Sequence, residues 1–125
     1  MTVHLDTSLL VHAFSSTTNR RIIDTATEQG HALLISSLVL YEWLRGPRSP
    51  EELALADAFF PAESIVDFGA DEARAAAALF KAVPRARQRG ADLAIAACAI
   101  EHGAALWTLN PNDFRDIHGL KLYRP

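Results

Sequence analysis

Five short apolar runs, at residues 3–5, 32–35, 64–68, 104–109 and 120–123, constrain this chain more than any other feature. Each is too short for an ordinary helix and is bounded by polar residues, glycine or proline, so each reads as a strand. The segments between the first four carry apolar residues at helical spacing. Strands alternating with helices at this interval predict an α/β fold: a three-layer domain with a mostly parallel central sheet of four to five strands flanked by helices. The 125 residues suffice for one compact core and are too few for two ordinary domains, so one domain over residues 1–125 is expected.

Local signals set the expected helix ends. Thr7 and Ser8 suit the cap of a short helix through Leu9, Leu10, Val11 and Phe14. After a polar break at residues 15–19, Asn19 suits the cap of a helix with Ile22, Ile23 and Ala26 on its apolar side, ended by Gly30. Ser36 or Ser37 suits the next cap, before Leu38, Val39, Leu40, Trp43 and Leu44, and Gly46-Pro47 closes that helix. Ser49, Pro50 and Glu52 form a capping box with proline at the first helical position, and Leu53, Leu55, Ala56, Phe59 and Phe60 follow as a core face. Asp71 opens an alanine-rich helix over residues 72–83, and residues 84–90 form a basic loop. A strongly apolar helix spans residues 91–102 and stops at Gly103.

Composition excludes several classes. No apolar run approaches the ~20 residues of a membrane span, and the N-terminus lacks the pattern of a signal peptide. Cys98 is the only cysteine, which rules out an intrachain disulfide and a cysteine zinc site and makes a cytoplasmic protein the expectation. The net charge of −3 carries no nucleic-acid footprint of its own. Arg85, Arg87 and Arg89 are nevertheless clustered, and by composition alone they read as a solvated loop. His4, His12, His31, His102 and His118 show no metal-ligand spacing, and Cys98, Trp43 and Trp107 read as core.

The acidic residues are more informative. Asp6 ends the first strand, and the carboxyl ends of parallel strands open into the crevice where α/β sheets bind ligands. Asp92 opens the apolar helix that feeds the fourth strand. It gains from the helix dipole, and a helix running antiparallel to that strand brings Asp92 to the same edge as Asp6. Glu42 lies between Tyr41 and Trp43 on a helix with little expected solvent face, three residues before Arg45. Asn110, Asn112 and Asp113 follow the fourth strand with ordinary turn chemistry. Carboxylates gathered at one edge repel one another and raise one another's pKa. A hard divalent cation such as Mg²⁺ relieves that repulsion and can act on a phosphodiester.

Four pieces in order resemble a known family: Leu5-Asp6-Thr7-Ser8, the segment through Tyr41-Glu42-Trp43-Leu44-Arg45-Gly46, Gly90-Ala91-Asp92-Leu93-Ala94-Ile95, and Leu106-Trp107-Thr108-Leu109-Asn110-Pro111-Asn112-Asp113-Phe114. The chain resembles a PIN domain, and within it the VapC-like ribonuclease toxins of bacterial toxin–antitoxin pairs. The resemblance spans essentially the whole chain. It implies an endoribonuclease dependent on Mg²⁺ or Mn²⁺, with Asp6, Glu42 and Asp92 as the metal-binding and catalytic acids. Asn110 stands where the family often has aspartate, with Asp113 nearby to supply charge. Thr7 or Ser8 would orient Asp6 or the attacking water. The resemblance further implies that Arg85, Arg87 and Arg89 rim the cleft and hold RNA phosphates, with Arg45 and Lys81 as lesser candidates. A cognate antitoxin covering the cleft and a homodimer are the implied partners, with transfer or ribosomal RNA as substrate.

Two other readings compete. A PIN-like fold with a weakened acid set would bind RNA or protein without cutting. A receiver-like phosphoacceptor domain also gathers acids at a sheet edge, but it needs an acidic pair after the first strand, and Asp6 stands alone.

Overall fold

The computed structural model describes residues 1–125. Its five strands are β1 (Thr2–Leu5), β2 (Ala32–Ser36), β3 (Ile65–Val66), β4 (Ala105–Trp107) and β5 (Lys121–Leu122). All pair in parallel, in the order β3-β2-β1-β4-β5. Val3 is in register with Leu33 on one side and Ala105 on the other, which makes β1 the central strand. Its residues Val3, His4 and Leu5 are all buried, as a strand covered on both faces requires. From β1 the chain builds outward through β2 and β3, then crosses back to β4 and β5. The direction of winding therefore reverses between β1 and β4, and their carboxyl ends form the topological switch point.

Six helices flank the sheet: α1 (Thr7–Ala13), α2 (Thr17–Glu28), α3 (Ser37–Arg45), α4 (Pro50–Phe59), α5 (Ala70–Ala82) and α6 (Gly90–Glu101). The α/β three-layer expectation holds, and the strands are shorter than the apolar runs suggest. β3 is confined to two residues because a 3-10 turn takes Ala62–Ser64 before it, and the Phe68 N–H beyond it is drawn to Ser37 Oγ.

Several caps differ from expectation. Asp6, not Thr7 or Ser8, caps α1, its Oδ1 accepting from the Thr7 N–H at 2.9 Å. Ser16, not Asn19, caps α2, and Asn19 is instead the residue whose N–H it receives. The α5 helix starts at Ala70, where Glu72 reaches back to the Gly69 N–H, so Asp71 lies within the first turn. The Ser36 cap and the Ser49/Glu52 capping box form as anticipated.

The core contains Val3, Leu5, Leu9, Leu10, Ile23 and Ile35, with Phe14 packed edge-on against Trp43 at 5.6 Å and beside Phe59 at 5.5 Å. The α6 helix is buried over Ile95–Ala99, in keeping with its apolar composition. Two helices expose more than their sequences suggest. In α3 only Val39 and Trp43, one turn apart, are fully buried, while Tyr41 and Leu44 are 60% and 54% exposed. In α4, Leu53 is 37% exposed and only Ala56 is fully buried, with Leu55, Phe59 and the capping Phe60 completing the core contact. Trp43 is covered by the Arg48 guanidinium, 4.1 Å from the ring centroid. Cys98 is buried, and burial pushes its thiol up to about 11, which leaves it unreactive. No helix is long and apolar enough to cross a membrane.

His4 is the one fully buried polar side chain of β1. Neither of its ring nitrogens has a hydrogen-bond partner, and its ring stacks on His102 at 5.7 Å. Burial, followed by repulsion from His102, lowers its pKa from 6.5 to about 4. The folded state therefore resists protonation of His4 and the unfolded chain does not. The associated stability is complete above pH 6.5 and declines as the pH falls towards 4. Replacing His4 with Phe should remove that decline. In urea unfolding, the variant is expected to gain about 2–3 kcal/mol on the natural protein between near-neutral and mildly acid buffer. Parallel pH profiles of the two proteins would refute this account.

Candidate active site

The switch point joins two chain segments through hydroxyl groups. The Asp6 N–H donates to the Trp107 carbonyl at 2.9 Å, which seats Asp6 where β1 and β4 end. Its carboxylate is only 6% exposed and receives three donors. The Thr7 N–H meets Oδ1, and the hydroxyls of Ser8 and Thr108 meet Oδ2 at 2.9 and 2.7 Å. Each hydroxyl is itself positioned by a backbone N–H from the β4 exit: Leu109 donates to Ser8 Oγ and Asn110 to Thr108 Oγ1. Hydrogen bonds to a carboxylate are charge-assisted and strong, so the Asp6 geometry is fixed before any ligand arrives. Of Thr7 and Ser8, it is Ser8 whose side chain orients Asp6. Thr108 does so equally and was not among the residues singled out by sequence. Its signal was available, as a hydroxyl at the end of a buried strand leading into the Asn110 turn.

Glu42 approaches from α3. Thr7 Oγ1 donates to Glu42 Oε1 at 2.5 Å, and Arg45 lies 3.5 Å from Oε2. Asp92 lies in the first turn of α6, as its sequence position implies. Burial is the largest influence on it, followed by repulsion from Asp6, Asp113 and Glu42, and together these raise its pKa from 3.8 to about 6. Arg89 opposes the rise. The four carboxylates thus share one electrostatic field. They do not close into a single coordination sphere, since no three carboxylate, imidazole or thiol side chains lie close enough to hold one ion. Asp92 lies within reach of the charges of Asp6 and Glu42, and Glu42 is tied to Thr7 and to Arg45.

Beside Asp92 lies an open cleft of about 310 Å³ with no hydrophobic residue in its lining, bordered by Arg85, Arg89, Asp92, Asn112, Asp113 and Asp116. Asn110 is exposed at the start of the 3-10 turn Pro111–Asp113. The three clustered arginines separate in space. Arg87 is exposed, Arg85 borders the cleft with a left-handed backbone (φ 53°), and Arg89 makes a two-pronged ion pair with Asp116. Asp116 also went unmarked in the sequence, where nothing distinguishes it from a surface acid.

The donor set suits a hard cation. It consists of carboxylate oxygens with no sulfur or imidazole among them, and it leaves negative charge unbalanced at Asp92.

A parallel α/β sheet with carboxylates gathered at its switch point defines the class: an α/β domain with an acidic site at the sheet edge. The model of the PIN domain family matches residues 3–120, and the chain belongs to that family. Among solved structures it is similar to a chain of the VapBC2 complex from Rickettsia felis bound to a promoter DNA fragment, at 26% identity, TM-score 0.78 and 98% coverage of each chain. It shares its fold with chains of a toxin–antitoxin complex from Klebsiella pneumoniae (23% identity, TM-score 0.74, 98% and 99% covered) and of DNA-bound VapBC from Salmonella typhimurium (23%, 0.72, 98% and 97%). No curated protein sequence matches the chain significantly.

The raised pKa of Asp92 carries a consequence for stability. Its carboxyl binds a proton more tightly in the folded protein than in the unfolded chain, so ionising it is destabilising above pH 6, and the effect vanishes as the pH falls below 3.8. Because the group is half-exposed, solvent screening reduces the effect, and Asp92→Asn should stabilise the metal-free protein by about 1 kcal/mol at alkaline pH. At strongly acid pH the gain should disappear. Equal stability of the two proteins in thermal melts at alkaline pH would show that the carboxylates do not repel.

Proposed function

We propose that this protein is a metal-dependent endoribonuclease that acts as the toxin of a toxin–antitoxin pair. The observation that carries the reading is the gathering of Asp6, Glu42 and Asp113 around Asp92, whose pKa is raised to about 6 by burial first and by their repulsion second. Asp6, Glu42 and Asp92 are the residues that would hold Mg²⁺ or Mn²⁺, with Asp113 compensating for the neutral Asn110. When bound, the ion supplies Lewis acidity towards a phosphodiester oxygen and a water of lowered pKa. The chain's own residues prepare the site. Ser8 and Thr108 fix the direction of Asp6, and Thr7 ties Glu42 to α1. Exposed Arg85 and Arg87 would hold backbone phosphates of the RNA, and Arg45 contributes from α3.

The similar solved structures are toxin–antitoxin complexes, two of them on DNA, which supports a cognate antitoxin as partner of this chain. Its exposed apolar residues Tyr41 and Leu44, next to Glu42 and Arg45, offer such a partner a surface beside the site. Homodimer formation and action on transfer or ribosomal RNA in the cytoplasm, arresting translation, complete the reading. One observation favours the alternative of a non-catalytic RNA- or protein-binding module: the residue at the exit of β4 is the neutral Asn110.

Purified protein is expected to cut RNA with Mg²⁺ or Mn²⁺ and to stop when the metal is chelated. Asp6→Asn, Glu42→Gln and Asp92→Asn should each lower the rate by at least about 100-fold, as loss of a metal-held centre does. In cells the same variants should relieve growth arrest. RNA binding without cleavage under every metal tried would favour the binding module instead.

A further inference from the structure

Arg89 stands apart from the other basic residues. Its Nη1 and Nη2 donate to the two oxygens of Asp116 at 2.9 and 2.5 Å. Nη2 also donates to the Asp113 carbonyl at 3.0 Å, and Nη1 to the Pro84 carbonyl at 3.3 Å. Four of the five N–H groups of a guanidinium are thereby engaged, and no fork remains to grip a phosphate. The side chain is only 16% exposed, unlike that of a residue waiting for RNA.

Its place in the chain matters as much. Arg89 directly precedes α6, whose third residue is Asp92. Its partners belong to the segment that leaves β4 through the turn Pro111–Asp113 and is anchored in the core by Phe114 and Ile117. The Arg89 contacts are thus a direct polar link between the start of α6 and the turn that carries Asn112 and Asp113 over the cleft. The Pro84 contact adds the strained residue Arg85 to the same assembly.

We propose that Arg89 and Asp116 form a clamp that sets the distance between Asp92 and Asp113, making Arg89 a positioning residue rather than an RNA contact. The proposal rests on the nuclease reading for its catalytic consequence but not for its structural one.

Four variants test it: Arg89→Ala, Arg89→Lys, Asp116→Asn and the double variant Arg89→Ala/Asp116→Asn. With Mn²⁺ and RNA, Arg89→Ala and Asp116→Asn should each reduce kcat by about tenfold or more, since small displacements of reacting groups are costly in rate. KM and the salt dependence of RNA binding should be unchanged. The double variant should be no slower than either single one, and Arg89→Lys, which still reaches one oxygen, should recover part of the rate. Hydrogen exchange reads the clamp without catalysis. The Asp113, Phe114 and Ile117 N–H groups are hydrogen-bonded within the turn, and they should exchange faster in both single variants while β1 stays protected.

The proposal is overturned if Arg89→Ala raises KM and flattens the salt slope by about one while Asp116→Asn does neither, the signature of a phosphate contact. It is equally overturned if exchange in the turn is unaltered. If the natural protein cuts no RNA, the nuclease reading fails, and the exchange result alone decides the clamp. Should Arg89→Ala not fold, Arg89→Lys and Asp116→Asn carry the same comparison.

Discussion

The structure depends on how a nearly buried aspartate side chain is satisfied at the centre of a parallel sheet. Burying a polar group without partners costs several kcal/mol. Asp6 has one N–H and two hydroxyl donors, with its own N–H tied across to Trp107. The same residue ends β1, caps α1 and faces the β4 exit, so one side chain couples strand, helix and sheet edge. Beside it, burial first and repulsion from Asp6, Asp113 and Glu42 second raise the pKa of Asp92.

That imbalance links fold and function. A domain selected for stability alone would not place Asp6, Glu42, Asp92 and Asp113 within mutual repulsion. It would replace one of them or pair each with a cation. Arg45 and Arg89 supply partial relief, at Glu42 and beside Asp92 respectively. Glu42 is tied to Thr7 and Arg45, and the charge around Asp92 is of the kind a hard divalent ion balances.

The sequence made much of this legible, for identifiable reasons. The Ser49/Glu52 box and the Gly30 stop are local hydrogen-bond and backbone effects, and they appear as read. The burial of α6 follows from an apolar composition on every side. Caps shifted where two polar residues competed. Asp6 displaced Thr7 and Ser8 because its extended backbone at the end of β1 aims the carboxylate at the first free N–H. The exposure of Tyr41, Leu44 and Leu53 was hidden because apolar identity does not reveal which side of a short helix meets the core.

Taken by itself, the chain of residues determined the alternation of strands and helices, the parallel sheet, the family and the acids worth watching. These follow from periodicity, local capping and motif order, which act over a few residues. Only the tertiary structure decided that the Thr108 hydroxyl shares Ser8's grip on Asp6, that Thr7 binds Glu42, and that Arg89 is bound to Asp116 while Arg87 stays exposed. Those contacts join residues separated by tens of positions. Their partners are selected by the distance at which packed elements come to rest, a quantity that no local pattern encodes.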